Sequence, residues 1–267
     1  MSLFVCNRRQ WAGALFAVLL VVGWSPPSAQ ASCPVPSGPG SARARVAVII
    51  DDLGQNSTLG MRSVALPGPV ALAFLPHRPH AAALAAAARN AGKEVLLHLP
   101  LQPQTGAALG PGGLTMKMSE SHFREIVREN LKSLPAVHGL NTHMGSLLTR
   151  HREPMGWLME ELQDQSLFFV DSYTTPESVA MAAAASAKIP HTRRDVFLDH
   201  VRDDDAIQRE FERLVALGRQ NGVSVGIGHP YPETLAYLET ALPQLCAQGV
   251  ELISLQDAIR FQQEPSP

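Results

Sequence analysis

Apolar positions in this chain gather into short β-branched runs, each ending in polar or glycine-bearing residues and followed by a stretch with helical spacing. The first run, Val46–Ile50, leads straight into Asp51, Asp52, Leu53 and Gly54. A run of this kind reads as a fully buried strand. Two carboxylates at its end are too costly to bury unpaired, so they belong on a rim. Further strands are predicted at 70–75, 94–99, 137–142, 167–170, 195–198, 223–227 and 250–253. Helices are predicted at 58–64, 80–91 (closed by Gly92), 120–133 (capped by Ser119), 154–164, 176–187 (Pro176 in its first turn), 204–220, 232–247 and 255–262 (capped by Ser254).

Strict alternation of strand and helix implies parallel strands joined by crossover helices. Two architectures satisfy it, an open doubly wound sheet and a (β/α) barrel. No glycine-rich phosphate loop follows the first strand, which speaks against a dinucleotide fold. Polar residues end several different strands: Asp51 and Asp52, His98, His143, Asp171 and His229. In a barrel such ends converge on one face. The expected fold is therefore α/β, a distorted (β/α) barrel of seven or eight strands.

Composition adds the setting. Arg8 and Arg9 precede an apolar stretch from Trp11 to Trp24, and Ser28, Ala29, Gln30 and Ala31 supply a small-x-small cleavage pattern. Residues 1–31 read as a signal peptide, and the apolar stretch falls short of the ~20 residues of a spanning helix. An uncleaved anchor is the alternative. The mature chain is expected outside the cytoplasm, in a periplasm, with no stable membrane span once the leader is removed. Residues 32–44, rich in Pro, Gly and Ser, read as a flexible linker, 45–262 as the catalytic-type domain and 263–267 as a tail. About 235 residues remain after residue 31, enough for one large α/β domain. Cys33 and Cys246 are read as two unrelated thiols, with a disulfide between them as the alternative. The net charge of −2 and the lack of a basic stripe exclude nucleic acid as an expected partner.

One Asp and two His from three strand ends form a three-ligand set for a catalytic divalent metal, with zinc as the default. Taken singly, His98 also reads as a core histidine, and the Asp pair as a turn cap. A metal beside a free carboxylate implies hydrolysis, in which a base takes a proton and an acid protonates the leaving group. His229, between Gly228 and Pro230, is a candidate acid. Asp171 either orients a catalytic group or caps the next helix. Arg193, Arg194 and Asp199 pair with one another or with Asp51, and Asn141 and Arg193 are candidates for substrate contact.

At these residues the chain resembles the divergent polysaccharide deacetylase family (the YibQ type), a distant branch of the NodB-like carbohydrate esterases. The resemblance rests on Ile49–Gly54, Leu97–Leu101, Asn141–Ser146, Phe169–Ser172, Val196–Asp199 and Gly226–Pro230. It implies that Asp51 is the base, Asp52 and His98 are metal ligands and His229 is the acid. The family's His-x-x-x-His pair is incomplete, because Gln102 stands at its second position, and His143 supplies the missing ligand. The implied function is an exported, metal-dependent deacetylase or related hydrolase acting on an envelope carbohydrate. A non-catalytic carbohydrate-binding or envelope-organising protein on a degenerate barrel is the alternative.

Overall fold

The computed structural model describes Met1 and residues 44–263. The leader, nearly all of the linker and the tail from residue 264 on lie outside the described residues. Ala44, expected in the linker, already begins a strand, and Gln263 still belongs to a helix.

In chain order the elements are β1 (Ala44–Leu53), α1 (Ser57–Val64), β2 (Ala71–Phe74), α2 (Ala81–Asn90), β3 (Val95–Leu101), α3 (Glu120–Lys132), β4 (Gly139–Met144), α4 (Arg152–Asp164), β5 (Phe168–Asp171), α5 (Ala180–Ser186), β6 (His191–Arg193), β7 (Val196–Phe197), α6 (Asp204–Asn221), β8 (Val223–Gly228), α7 (Pro232–Ala241), β9 (Val250–Leu252) and α8 (Leu255–Gln263). Every strand pairing is parallel.

The sheet order is β6-β5-β4-β3-β2-β1-β8-β7, with β9 beside the start of β1. The two ends of that path are neighbours in sequence. The Arg194 N–H donates to the Asp171 carbonyl on the β5 side, and the Asp195 N–H donates to the Val225 carbonyl on the β8 side. The chain itself thus bridges the seam of a curled, distorted barrel. The strand expected at 195–198 is β7, shortened to Val196–Phe197, and β6 at His191–Arg193 was not foreseen. The two short strands serve opposite edges of the sheet.

Alternation along the strands sorts the core into two layers. Val46, Val48, Ile50, Leu97, Leu99, Leu140, Phe169, Val196 and Leu198 lie in the larger layer, with the helices. Ala47, Ile49, Ala71, Ala73, Leu96, Val170, Val225 and Ile227 fill the barrel, together with Leu255, Ala258 and Ile259 of α8. Glu94 ties α8 down by accepting the Leu255 and Gln256 N–H groups at 2.7 and 3.1 Å. Those are orphan donors of a helix start. Ser254 caps the same turn through the Asp257 N–H, as expected.

Two helix boundaries differ from expectation. The helix foreseen at 176–187 begins at Ala180, because residues 172–179 form a loop held by side-chain hydrogen bonds. Helix α7 ends at Ala241 and continues as short 3-10 turns, since Pro243 has no N–H to donate. Cys246 is disulfide-bonded, so its reading as an unrelated thiol is corrected. The alternative reading, a disulfide with Cys33, falls on a residue outside the described ones. Among the described residues no helix is long and apolar enough to cross a membrane.

Candidate active site

The alternation that fills the barrel with Ala47 and Ile49 brings Asp51 to the inner face, and likewise His98 after Leu96 and His229 after Ile227. On β4 the inner positions are Asn141 and His143, since Leu140 belongs to the outer layer. Asp52 ought to point away. The pairing of β1 with β2 shifts between Ile50 and Leu53, and Asp52 takes a left-handed φ of 56°. Such an irregularity breaks the two-residue period, and both carboxylates of the pair meet the same histidines. A non-glycine residue held at positive φ is strained, a cost that functional sites commonly carry.

Asp52, His98 and His143 bring three donor atoms together. The Asp52 Oδ1 lies 2.8 Å from His143 Nδ1 and 3.3 Å from His98 Nε2, and the two nitrogens are 3.2 Å apart. Tetrahedral zinc with bonds of about 2.0–2.1 Å separates its ligand atoms by about 3.3–3.4 Å. The buried Asp52 Oδ1 accepts no hydrogen bond. One carboxylate oxygen and two imidazole nitrogens in this spacing fit a zinc-like divalent ion.

The charge balance agrees with the geometry. Burial raises the Asp52 carboxyl, but His143 and His98 outweigh it and hold the group well below the usual carboxylate range. Burial also disfavours charge on His98, yet Asp51 and Asp52 beside it push its pKa up to about 9. The two carboxylates demand a positive charge at this point. A divalent ion satisfies that demand with the imidazole neutral.

Asn141 fixes the neighbouring groups. Its Nδ2 donates to Asp51 Oδ1 at 2.7 Å, so its Oδ1 is left to accept from His98 Nδ1 at 2.8 Å. His98 therefore carries its proton on Nδ1 and turns Nε2 toward Asp52 and His143. This is the outer hydrogen bond that orients a ligating imidazole. Asn141 is fully buried with both amide ends occupied, so its expected role in substrate contact is corrected to positioning. Asp51 is 3 % exposed. Burial pushes its carboxyl up, against the pull of His98 and His229.

His229 faces the site from the other side, with Nε2 3.8 Å from Asp52 Oδ2. Its Nδ1 is 2.9 Å from Asp199 Oδ1, and Asp199 Oδ2 accepts from the His229 N–H at 2.6 Å and the Thr234 hydroxyl at 2.8 Å. Burial disfavours the imidazolium, but Asp199, Asp51 and Asp52 outweigh burial and raise its pKa. The sequence offered Asp199 only as a partner for arginines or Asp51, and the His229–Asp199 pair was missed.

Two candidates stand elsewhere. Asp171 follows Phe169 of the outer layer and is turned into its own loop, accepting the Tyr173 N–H at 2.9 Å and the Ser178 hydroxyl at 2.7 Å. Burial pushes its carboxyl up, and its catalytic reading is corrected to that of a loop brace. Arg193 is exposed over the Tyr173 ring. Arg194 is the inner arginine, donating from Nε and Nη2 to the Ser172 and Tyr173 carbonyls. Gln102 offers no ligand atom, because its Oε1 accepts the Met116 N–H and anchors the rim loop.

A family model described as divergent polysaccharide deacetylase matches residues 48–259. YibQ of Escherichia coli is 35 % identical over 195 residues, 73 % of this chain and 61 % of that protein. The chain thus spans less than two thirds of that relative. A Haemophilus influenzae protein is 32 % identical over 80 % of this chain and 76 % of its own length. The crystal structure of ATU2773 from Agrobacterium tumefaciens superposes with a TM-score of 0.78 at 22 % identity, covering 82 % of this chain and 90 % of that one.

Proposed function

The chain belongs to the divergent polysaccharide deacetylase family, and from that premise we propose that it is an exported, metal-dependent deacetylase that removes acyl groups from an envelope carbohydrate. The observation that carries the reading is the convergence of Asp52 Oδ1, His98 Nε2 and His143 Nδ1, with Asp51 and His229 on either side. In support of export stand the leader-like pattern of residues 1–31 and the disulfide at Cys246.

A divalent ion, zinc by default, held by Asp52, His98 and His143, would supply Lewis acidity to an acyl oxygen and to water. Asp51 takes the proton that water gives up as it attacks the acyl carbon. Its raised pKa suits a base, since a more basic carboxylate binds that proton better. His229, protonated on Nε2, gives its proton to the departing nitrogen or oxygen. Asp199 holds the ring through Nδ1 and keeps it cationic, the part of an orienting carboxylate behind a catalytic imidazole.

The direct test is acetate release from N-acetylated oligosaccharides by the metal-loaded full chain. Chelation should abolish release and added metal should restore it. A fully loaded protein that releases nothing from any acylated glycan would favour the non-catalytic envelope role.

The acid assignment makes its own prediction. Asp199 holds the His229 pKa up, and the loss of the His229 proton sets the alkaline limb of turnover. Asp199→Asn removes the charge that raises the pKa, so that limb should move to lower pH. A pH–rate profile checks this, and an unmoved limb removes His229 from the acid role.

A further inference from the structure

Among the described residues, one side of the barrel mouth carries a buried hydroxyl without a partner and arginines without a paired carboxylate. Ser172 follows Val170 of the inner layer and is 5 % exposed, and its hydroxyl has no hydrogen-bond partner. Its carbonyl is held at 2.7 Å by the Nε of Arg194, whose guanidinium is partly buried 5.0 Å from the Phe197 ring centre. Phe197 packs in turn on His229, ring centres 5.3 Å apart. Two exposed arginines flank this pair. Arg193 lies over Tyr173, and Arg202 lies 3.6 Å over Tyr231, whose ring stacks on His229.

The carboxylates nearby have other partners. Asp171 accepts from Tyr173 and Ser178, Asp195 from the Val225 N–H, Asp199 from His229 and Thr234, Asp203 from the Ala206 N–H, and Glu177 pairs with Arg150. Asp204 and Asp205 lie in the first turn of α6, where the helix dipole favours them. Among the described residues none of Arg193, Arg194 and Arg202 has a carboxylate within ion-pair distance. Asp51, Asp171 and Asp195 act on Arg194 only from farther off. Guanidinium groups preset over aromatic rings lose little freedom when they bind a planar oxyanion.

We propose that Ser172 and Arg194, flanked by Arg193 and Arg202, receive a carboxylate carried by the glycan, so that the substrate class of this site is an acidic acylated sugar. This rests on the deacetylase reading for what is done to the sugar, but not for its binding. The Ser172 hydroxyl and the free edge of Arg194 donate to the carboxylate, while the acyl group lies toward Asp51 and His229.

The test uses calorimetric titration of the full chain at low salt with two probes. One is the disaccharide N-acetylglucosaminyl-N-acetylmuramic acid and the other is its methyl ester. The two differ at one group, a carboxylate in the first and its neutral methyl ester in the second. Charge-assisted bonds predict that the acid binds about tenfold or more tighter than the ester. Ser172→Ala should weaken the acid roughly fivefold and leave the ester unchanged, the loss of one hydrogen bond. It removes a partnerless buried hydroxyl, so its melting temperature should not fall. Arg202→Gln, at an exposed position, should lower the acid's affinity and its salt dependence. Equal affinity for acid and ester, no binding of the acid, or a Ser172→Ala variant that keeps the full preference overturns the proposal. Acetate release is measured on the same compounds. A preference for the acid without release sinks only the deacetylase reading, and release with no preference sinks only this inference.

Discussion

Asp51→Asn should lower turnover by roughly 10²–10⁴-fold, the range a positioned general base contributes, while metal content stays at the wild-type level. The substituted amide keeps its oxygen where Asn141 Nδ2 donates, so the Asn141–His98 link survives. What it lacks is a lone pair for the proton of the attacking water. Asp52, His98 and His143 are untouched. Stability should not suffer either. The folded pKa of Asp51 is raised above 3.8, so its charge costs stability as pH rises through that value and above it. A neutral amide removes that cost, and the melting temperature at neutral pH should hold or rise. Turnover within about threefold of wild type would be too small a change for a lost base. It would move that role to another group.

The barrel and the cluster of strand ends were legible because a β-branched run that stops at a carboxylate or histidine carries its own meaning. It is buried along its length and polar where it leaves the core. What stayed hidden was which face a residue takes at the strand end. In Leu167–Val170 every position is apolar, since β5 is buried on both sides. No alternation is left in such a run to tell Asp171 from Ser172. A one-residue shift exchanges the two faces, so the sequence leaves open whether Asp171 serves the site or its own loop.

Arg193 and Arg194 pose the same problem across the seam. Only the hydrogen bonds of Arg194 and Asp195 to opposite edges of the sheet reveal which arginine lies inside. The irregularity in β1 that lets Asp51 and Asp52 share one site arises from pairing with β2, which no local pattern encodes. Asp199 and His229 stand 30 residues apart, just past the ends of the neighbouring strands β7 and β8. Their pairing follows from topology and not from spacing.

His143→Ala is expected to cost at least about 100-fold in metal affinity, because even the outer partners of metal ligands are worth 10–100-fold and His143 offers a ligand atom itself. Its side chain is 16 % exposed at the rim, and its removal should change the metal-free stability by no more than about 1 kcal/mol. Wild-type protein should melt higher with each increment of free metal, since an ion that binds only the folded state stabilises it by mass action. The variant should lose that response, and elemental analysis after desalting should find it nearly metal-free. Undiminished metal content would remove His143 from the ligand set. Gln102→His supplies the control. The glutamine holds the Met116 N–H at 2.8 Å and is committed to the loop, while His143 already stands within 3.3 Å of the other two donor atoms. A histidine at 102 should therefore add nothing to metal affinity. A clear gain would mean that the site still wants the ligand His143 is assigned to replace.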